Sequence, residues 1–252
     1  MQNLFQDAMS IVRVFGKPDF FITVTCNPKW PEIQNELREG QSASDIPDIV
    51  SRIFRLKLKA ILDMILKSYI LGRCKAHMYT IEFQKRGLPH AHLLFIVNEE
   101  DKPRCIEDID KIVQAEIPDP VTQPQLYETV IKCMNHGYCG QLFPDSPCMH
   151  NGLCSKKYPK QFQETTSNNN DGYPIYRRRN NGRTFVNGSG EKYDNRYIVP
   201  YNSVLSTAFD CHINVEICSS IQAIKYIYKY IYKGKIYYKN HFENCTTIIL
   251  LM

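Results

Sequence analysis

The sequence predicts an α+β domain in which helices flank a central antiparallel sheet. The run FFITVTC at residues 20–26 combines β-branched and aromatic side chains, which favour strands. Residues 77–84 and 90–97 alternate polar and apolar side chains around the turn-forming sequence KRGLP, which predicts a β-hairpin. Residues 46–71 repeat their apolar side chains at helical spacing and predict one long helix.

Composition restricts the classes of protein to which the chain can belong. Its 252 residues are 43% hydrophobic and 23% charged, which is typical of one large globular domain or two small ones. A net charge of +5 permits an anionic partner without requiring one. The N-terminus does not resemble a signal peptide, and no apolar run reaches the ~20 residues that span a membrane. We therefore expect an intracellular protein without a membrane partner, whose clustered cysteines bind metal rather than form disulfides.

Two histidines of the predicted hairpin form a candidate metal site. His90 and His92 are separated by one residue in PHAHLLF, so they project from the same face of a strand. Glu82 and Gln84 share a face of the opposing strand, which brings an acidic or amide oxygen towards the two imidazoles. Such a set of ligands suits a catalytic divalent cation. The alternative is that the histidines are polar residues on the solvated face of a sheet.

Residues 224–234, IKYIYKYIYKG, place four tyrosines within seven positions. A strand would put all four on one face, whereas a helix would stack Tyr226 and Tyr230 one turn apart. Periodicity alone does not decide between them. A tyrosine hydroxyl is a suitable nucleophile for a metal-polarised phosphodiester. The interleaved lysines would hold phosphate, unless they form only a solvated face.

A second group of candidate metal ligands lies in residues 133–158, where Cys133 is followed by a His-x₂-Cys and then a Cys-x₅-Cys pattern. Thiolate and imidazole donors suit a tetrahedral zinc site. The four donors are His136, Cys139, Cys148 and Cys154. Buried reduced thiols are the alternative. Bound zinc would have a structural role, because the insertion has few apolar residues of its own.

Taken together, these motifs resemble the replication-initiator part of Helitron transposases, within the HUH endonuclease superfamily. The resemblance covers most of residues 2–235 and implies an HUH/Rep-like sheet with a Cys/His-rich insertion. It is carried by five blocks in order: FGKPDFFITVTCNPKWPEI (15–33), IEFQKRGLPHAHLLF (81–95), DNRYIVPYN (194–202), CHINVEIC (211–218) and IKYIYKYIYKG (224–234).

The resemblance implies that the protein nicks single-stranded DNA and transfers the strand through a 5′-phosphotyrosine. Mg²⁺ or Mn²⁺ held by His90, His92 and a third ligand would polarise the scissile phosphate. Glu82 is the preferred third ligand because a carboxylate is the better donor to a hard ion, and Gln84 is the alternative.

The same resemblance assigns the nucleophiles and the DNA contacts. Tyr226 and Tyr230 would lie on one face of a helix as the two nucleophiles, whereas the neighbouring tyrosines, Tyr228 and Tyr232, would be packing residues. The predicted DNA contacts are Lys229, Lys233, Arg177, Arg178, Arg179 and Arg183. For the arginine run, a solvated loop is the alternative.

The expected organisation follows these motifs. Residues 1–132 would be the N-terminal part of the nuclease domain, 133–165 the zinc insertion, 166–240 the remainder with the basic loop and the two-tyrosine helix, and 241–252 a divergent tail that looks like a truncated or read-through end. No Gly-x₄-Gly-Lys-Ser/Thr sequence occurs, so this chain has no Walker A loop for a helicase.

The resemblance also implies partners and a location. The expected partners are single-stranded DNA at transposon ends and the helicase domain of full-length relatives, and the expected location is the nucleus. The alternative function is a non-catalytic, zinc-stabilised nucleic-acid-binding remnant of a transposon. A third reading, an unrelated metal hydrolase using His90 and His92, would leave the paired tyrosines without a role.

Overall fold

A six-stranded sheet forms the centre of the structure, a computed structural model that describes residues 13–83, 87–141, 143–169, 173–218, 235–242 and 245–251. The last two ranges are described as backbone strands. In chain order the strands are β1 (Phe20–Thr25), β2 (Cys74–Phe83), β3 (Pro89–Val97), β4 (Met149–His150), β5 (Leu153–Cys154), β6 (Ser167–Asn168), β7 (Pro174–Ile175), β8 (Thr184–Val186), β9 (Lys192–Asp194), β10 (Ile213–Ile217), β11 (Lys235–Phe242) and β12 (Cys245–Leu251).

Along the chain, helices alternate with the strands of this sheet. The described α-helices are α1 (Pro31–Gln34), α2 (Pro47–Lys67), α3 (Ile106–Ile112), α4 (Pro124–Cys133) and α5 (Ser203–Phe209). Short 3₁₀ turns occupy Ala43–Asp45, Glu99–Asp101 and Asn195–Tyr197. Within the described part of the chain, no helix is both long enough and apolar enough to cross a membrane.

The strand order in the central sheet is β10-β1-β3-β2-β12-β11. The hairpin of β2 and β3 confirms the sequence prediction, and β1 and β10 extend it with antiparallel pairing. The predicted central sheet is antiparallel in β10, β1, β3 and β2, and one further strand, β12, pairs with β2 in parallel. Residues predicted to form a divergent tail, 241–252, contribute to β11 and β12 at the far edge. The α+β class is thus confirmed, and the HUH-like arrangement stays a prediction.

One face of the sheet is apolar, because every second side chain of β1 and of the first part of β3 is buried on it. Phe20, Ile22 and Val24 of β1 are fully buried, and so are Ala91, Leu93 and Phe95 of β3. Antiparallel pairing places these two sets on the same face. The predicted long helix, observed as α2, belongs to the same apolar core. Its buried side chains recur every three or four residues: Val50, Phe54, Leu58, Ile61 and Ile65.

A second apolar cluster lies around α4 and the loops that follow it. It joins Leu126, Val130 and Met134 to the aromatic rings of Tyr193 and Tyr201, which are almost fully buried. Tyr193 stacks on Phe185 with ring centroids 5.2 Å apart. Long connecting segments are thereby held by aromatic packing, with little regular secondary structure.

We predict that Phe54→Ala lowers the free energy of unfolding by about 3–5 kcal/mol, because it removes a large buried ring and leaves a cavity. Phe54 is 1% exposed, whereas Leu56 on the same helix is 68% exposed. Leu56→Ala is the matched control and should change the unfolding free energy by less than about 0.5 kcal/mol. Urea denaturation of both variants provides the measurement. Equal effects would contradict the assigned orientation of α2.

Candidate active site and metal cluster

The second face of the sheet carries polar side chains from four neighbouring strands. Glu82 of β2 lies directly opposite His90 of β3, and Thr80 lies opposite His92. On the other edge of β3, Thr25 and Thr23 of β1 lie opposite the same two histidines. Residues in register across a sheet share a face, so these six side chains are neighbours. Asn214 and Glu216 of β10 continue the row beyond β1, opposite Thr23 and Phe21.

The two histidines are held by contacts with β1. The Nδ1 atom of His90 lies 2.8 Å from the Thr25 hydroxyl oxygen, and the Nδ1 atom of His92 lies 3.2 Å from that of Thr23. The ring of Phe21 stacks on His92 with centroids 5.9 Å apart. Both imidazoles are therefore anchored through the same ring nitrogen, which directs Nε2 away from β1.

The preferred third ligand lies beside the histidines. The Glu82 carboxylate is 3.6 Å from Nε2 of His92, which is beyond the range of a good hydrogen bond. The Nε2 atom of His90 is buried and has no hydrogen-bond partner within the described part of the chain. A buried nitrogen without a partner is costly unless a ligand satisfies it. These three side chains carry imidazole nitrogens and a carboxylate oxygen, which are donor types that divalent cations accept, and their role as cation ligands stays a prediction. Gln84, the alternative ligand, lies outside the described residues.

Burial keeps the imidazoles neutral at physiological pH. It lowers the pKa of His90 to about 4, with a smaller contribution from His92. It also lowers the pKa of His92 to about 4, with help from the positive charge of Lys156. A neutral imidazole is the form that donates a lone pair to a metal ion. Protonation therefore does not compete with cation binding near neutral pH.

Several polar residues of this face were not predicted from the sequence. Thr23 and Thr25 alternate with buried residues in FFITVTC, and Asn214 and Glu216 alternate with buried residues in CHINVEIC. Just before β10, the Nδ1 atom of His212 lies 3.4 Å from the Thr25 hydroxyl. Alternation in both strands was the available signal, because polar residues spaced by two must share one face. Only the order of the strands in the sheet could show that these polar residues lie on the same face as the histidines.

The cysteine cluster predicted from spacing comes together in space. The donor atoms of four side chains all lie within 4.8 Å of one another: His136, Cys139, Cys148 and Cys154. Within the described residues, this is the group of histidine, cysteine or acidic side chains whose donors converge most closely; the His90, His92 and Glu82 set is looser. Cys133, also considered as a neighbour, lies at the end of α4 outside this group.

Backbone contacts shape the cluster. The Nε2 atom of His136 lies 3.7 Å from the sulfur of Cys139 and 3.6 Å from that of Cys154. The Tyr158 ring stacks on His136 with centroids 4.2 Å apart, and its amide donates to the Cys154 sulfur at 3.4 Å. The His136 amide in turn donates to the Tyr197 carbonyl at 2.8 Å. One imidazole and three sulfurs converging in this way form the donor set typical of tetrahedral zinc.

The thiols differ in acidity. Burial, followed by the nearby sulfurs of Cys154 and Cys148, raises the pKa of Cys139 to about 12. Burial also raises the pKa of Cys148. At Cys154 burial acts in the same direction, but the backbone amides of Tyr158 and Lys156 outweigh it and lower the pKa. Cys154 is therefore the thiol of this cluster that loses its proton most readily, and the thiolate is the form that binds a metal ion.

Lys156 brings positive charge to both groups of ligands. Burial lowers the pKa of His136, and the charges of Lys160 and Lys156 lower it further. Because Lys156 also acts on His92, the Cys/His cluster and the histidine face share one electrostatic environment.

The comparison with known families addresses the N-terminal part of the chain. Residues 1–95 match the family model described as the Helitron helicase-like domain at the N-terminus. No curated protein sequence matches the chain. The recognised resemblance is thus confirmed over residues 1–95, and the HUH superfamily placement stays an expectation.

The Helitron-like region contains β1, β2 and most of β3, including Glu82, His90 and His92. The Cys/His cluster and the arginine run lie beyond it. Residues 219–234 also lie beyond it and outside the described residues. Four predicted site residues fall in that range: Tyr226, Tyr230, Lys229 and Lys233. Their roles stay predictions.

The arginine run that follows the Helitron-like region does not form one uniform surface. Arg178 is 4% exposed, and its Nη1 donates to three backbone carbonyls at 2.6–3.0 Å. Its side chain therefore holds loops together and is withdrawn from the surface on which a DNA contact was predicted. The carbonyl acceptors belong to Ala115, Asn195 and Ile198.

The other arginines of the run are partly exposed and paired with carboxylates. Arg179 makes a two-pronged contact with Glu116, with the closest N–O distance at 2.6 Å. Arg183 lies 2.6 Å from Asp119, and Arg177 lies 3.3 Å from Asp110. These partners neutralise much of the positive charge locally. A DNA contact by Arg177, Arg179 or Arg183 stays a prediction, and it would compete with these ion pairs.

We predict that Arg178→Met lowers the free energy of unfolding by about 3 kcal/mol, because three interior carbonyls lose their donor. Arg183→Met is the matched control; both side chains of its ion pair with Asp119 are at least about a third exposed, so its loss should cost less than about 1 kcal/mol. Urea denaturation at fixed ionic strength compares them. Similar small losses in both variants would contradict a structural role for Arg178.

Proposed function

We propose that this chain is a Helitron-type rolling-circle transposition endonuclease that nicks single-stranded DNA and transfers the strand through a 5′-phosphotyrosine. One observation carries the proposal: His90 and His92, inside the family match, lie beside Glu82 on one sheet face, and Nε2 of His90 is buried with no partner among the residues that the structure describes. Such an arrangement has the ligands of a catalytic cation and lacks the closed shell of a structural site.

The site residues have distinct roles in this mechanism. His90, His92 and Glu82 would hold Mg²⁺ or Mn²⁺, with Gln84 as an alternative to Glu82. When bound, the cation supplies Lewis-acid polarisation of the scissile phosphate. The imidazoles can bind the cation without first losing a proton, because burial already keeps them neutral.

The bond changes involve the tyrosines. The hydroxyl oxygen of Tyr226 or Tyr230 attacks phosphorus, and the bond from phosphorus to the 3′-oxygen breaks. The tyrosine proton is lost and the 3′-oxygen leaves as a hydroxyl, so the 5′ phosphate stays on the tyrosine. The second tyrosine repeats this step on the next strand during transfer. Lys229 and Lys233 steady the DNA backbone by their charge.

The expected partners follow from this role. They are single-stranded DNA at transposon ends and the helicase domain of full-length relatives, acting in the nucleus. Arg177, Arg179 and Arg183 add a DNA-binding surface in this proposal.

A second candidate is favoured by the Cys/His cluster, whose donors converge whether or not the chain is catalytic. In that case the protein is a zinc-stabilised, non-catalytic nucleic-acid-binding remnant of a transposon. It binds DNA in a salt-sensitive way and never becomes attached to it.

We predict that the protein, incubated with Mn²⁺ and labelled single-stranded oligonucleotides of random sequence, forms a covalent adduct that survives denaturation. Tyr226→Phe with Tyr230→Phe should abolish the adduct because no nucleophile remains, and His90→Ala should abolish it because a cation ligand is lost. Denaturing gel electrophoresis measures the adduct.

Tyr228→Phe is the matched control for this experiment, because it removes a neighbouring hydroxyl to which the proposal gives no role. An adduct that persists in the double tyrosine variant or in His90→Ala would refute the mechanism. Salt-sensitive DNA binding by a folded protein without any adduct would favour the second candidate.

We infer that His136, Cys139, Cys148 and Cys154 hold structural zinc. Dialysis against a mild chelator should leave stoichiometric zinc in the unmodified protein and remove it from Cys154→Ser, because one thiolate ligand is lost. Metal analysis by mass spectrometry measures this. Cys105→Ser is the control, since Cys105 is an exposed cysteine outside the cluster. A folded protein without zinc, or equal zinc in both variants, would contradict the inference.

A further inference from the structure

Two threonines of β1 match the two histidines of β3 one to one. Thr25 lies opposite His90 and Thr23 lies opposite His92, with the intervening residues buried on the other face. Each hydroxyl contacts Nδ1 of its own histidine, at 2.8 Å and 3.2 Å respectively. The spacing of two residues in one strand is thus copied in the next.

A ring nitrogen and a hydroxyl can share a hydrogen in either direction, so the surroundings must decide the tautomer. If Thr25 donated to Nδ1 of His90, the proton on Nε2 would be a buried N–H group with no acceptor among the described residues. If Nδ1–H of His90 donates to Thr25, Nε2 instead carries a lone pair. Only the second arrangement becomes satisfied when a cation binds, because a cation accepts a lone pair and repels an N–H proton.

The far side of Thr25 is compatible with this direction. Its hydroxyl also lies 3.4 Å from Nδ1 of His212, and a hydroxyl has one proton to donate. If Thr25 accepts from His90, its own proton is free to point to His212. The three groups then form one chain from His90 through Thr25 to His212 without a conflict of donors.

We propose that Thr23 and Thr25 are positioning residues that hold His92 and His90 in the Nδ1–H tautomer, so that each presents the Nε2 lone pair to a divalent cation. This inference rests on the proposed cation site. It assigns a role to the two threonines of the FFITVTC strand, which orient the histidine rings before any cation or DNA binds. Neither threonine needs to contact the cation or the DNA to act in this way.

The first test reads the tautomer without metal or DNA. Nitrogen-15 NMR of the histidine rings in the full chain near neutral pH distinguishes protonated from unprotonated ring nitrogens. We expect Nδ1–H at both histidines in the unmodified protein. Thr25→Val should shift His90 towards the Nε2–H form and leave His92 unchanged, whereas Thr23→Val should do the reverse. Rings that begin as Nε2–H, or that do not respond to these variants, would overturn the inference.

The second test measures Mn²⁺ affinity by electron paramagnetic resonance in the absence of DNA. Thr25→Val should weaken binding about 10- to 100-fold, the usual effect of removing an outer partner of a metal-ligating histidine. Thr25→Ser, which keeps the hydroxyl, should restore the affinity.

Thr80→Val is the matched control for both tests. Thr80 lies opposite His92 on the other neighbouring strand, and its buried hydroxyl has no hydrogen-bond partner. Its replacement therefore removes a hydroxyl from the same face without removing a contact to a ring, and Mn²⁺ affinity should not change. An equal loss of affinity in Thr80→Val and Thr25→Val would overturn the inference.

The outcomes separate this inference from the proposed function. Mn²⁺ binding that His90→Ala abolishes but Thr25→Val does not affect would overturn the positioning role and leave the cation site standing. The expected tautomers and Mn²⁺ affinities, found in a protein that never forms a DNA adduct, would support the positioning role and refute the nuclease.

Discussion

Pairing of β3 with a strand on each side is the constraint on which both faces of the sheet depend. Since β1 and β2 both fix its register, β3 cannot slip without breaking two ladders of hydrogen bonds. A slip of one residue would turn His90 and His92 into the apolar core and expose Leu93 to the polar face. The core built with α2 and the orientation of the histidines are therefore secured by the same contacts.

The polar face carries costs that the apolar face does not. Counting contacts from residues 13–83, 87–141, 143–169 and 173–218, Thr80, His90 and Asn214 each have a buried side-chain atom without a hydrogen-bond partner, and all three lie on this face. Unsatisfied buried polar atoms destabilise a fold, so their concentration in one place is informative. Proteins tolerate such costs mainly where a ligand or a reaction requires them. This is the physical reason for placing the proposed chemistry here.

The two groups of candidate metal ligands differ in a way that suits different tasks. Four converging donors around His136 can close a shell around zinc and leave no open position. The set of His90, His92 and Glu82 has three side chains, so a cation held as proposed would keep open positions for a substrate oxygen. Positive charge from Lys156 acts on both His136 and His92, so the insertion adds to the potential of the sheet face. In the proposed function, the Cys/His-rich insertion would in this way also help to attract negatively charged single-stranded DNA.

Local patterns in the sequence determined the strands β1 to β3, the helix α2 and the ligand spacing of the Cys/His cluster, because alternation and helical periodicity are properties of contiguous residues. Tertiary structure alone decided that β1 lies beside β3, which gives each histidine its threonine, and that Arg178 is buried while Arg179 is half-exposed. The parallel pairing of β12 with β2 is of the same kind. Each of these depends on contacts between residues far apart in the chain, and no local pattern encodes which distant partner a side chain will meet.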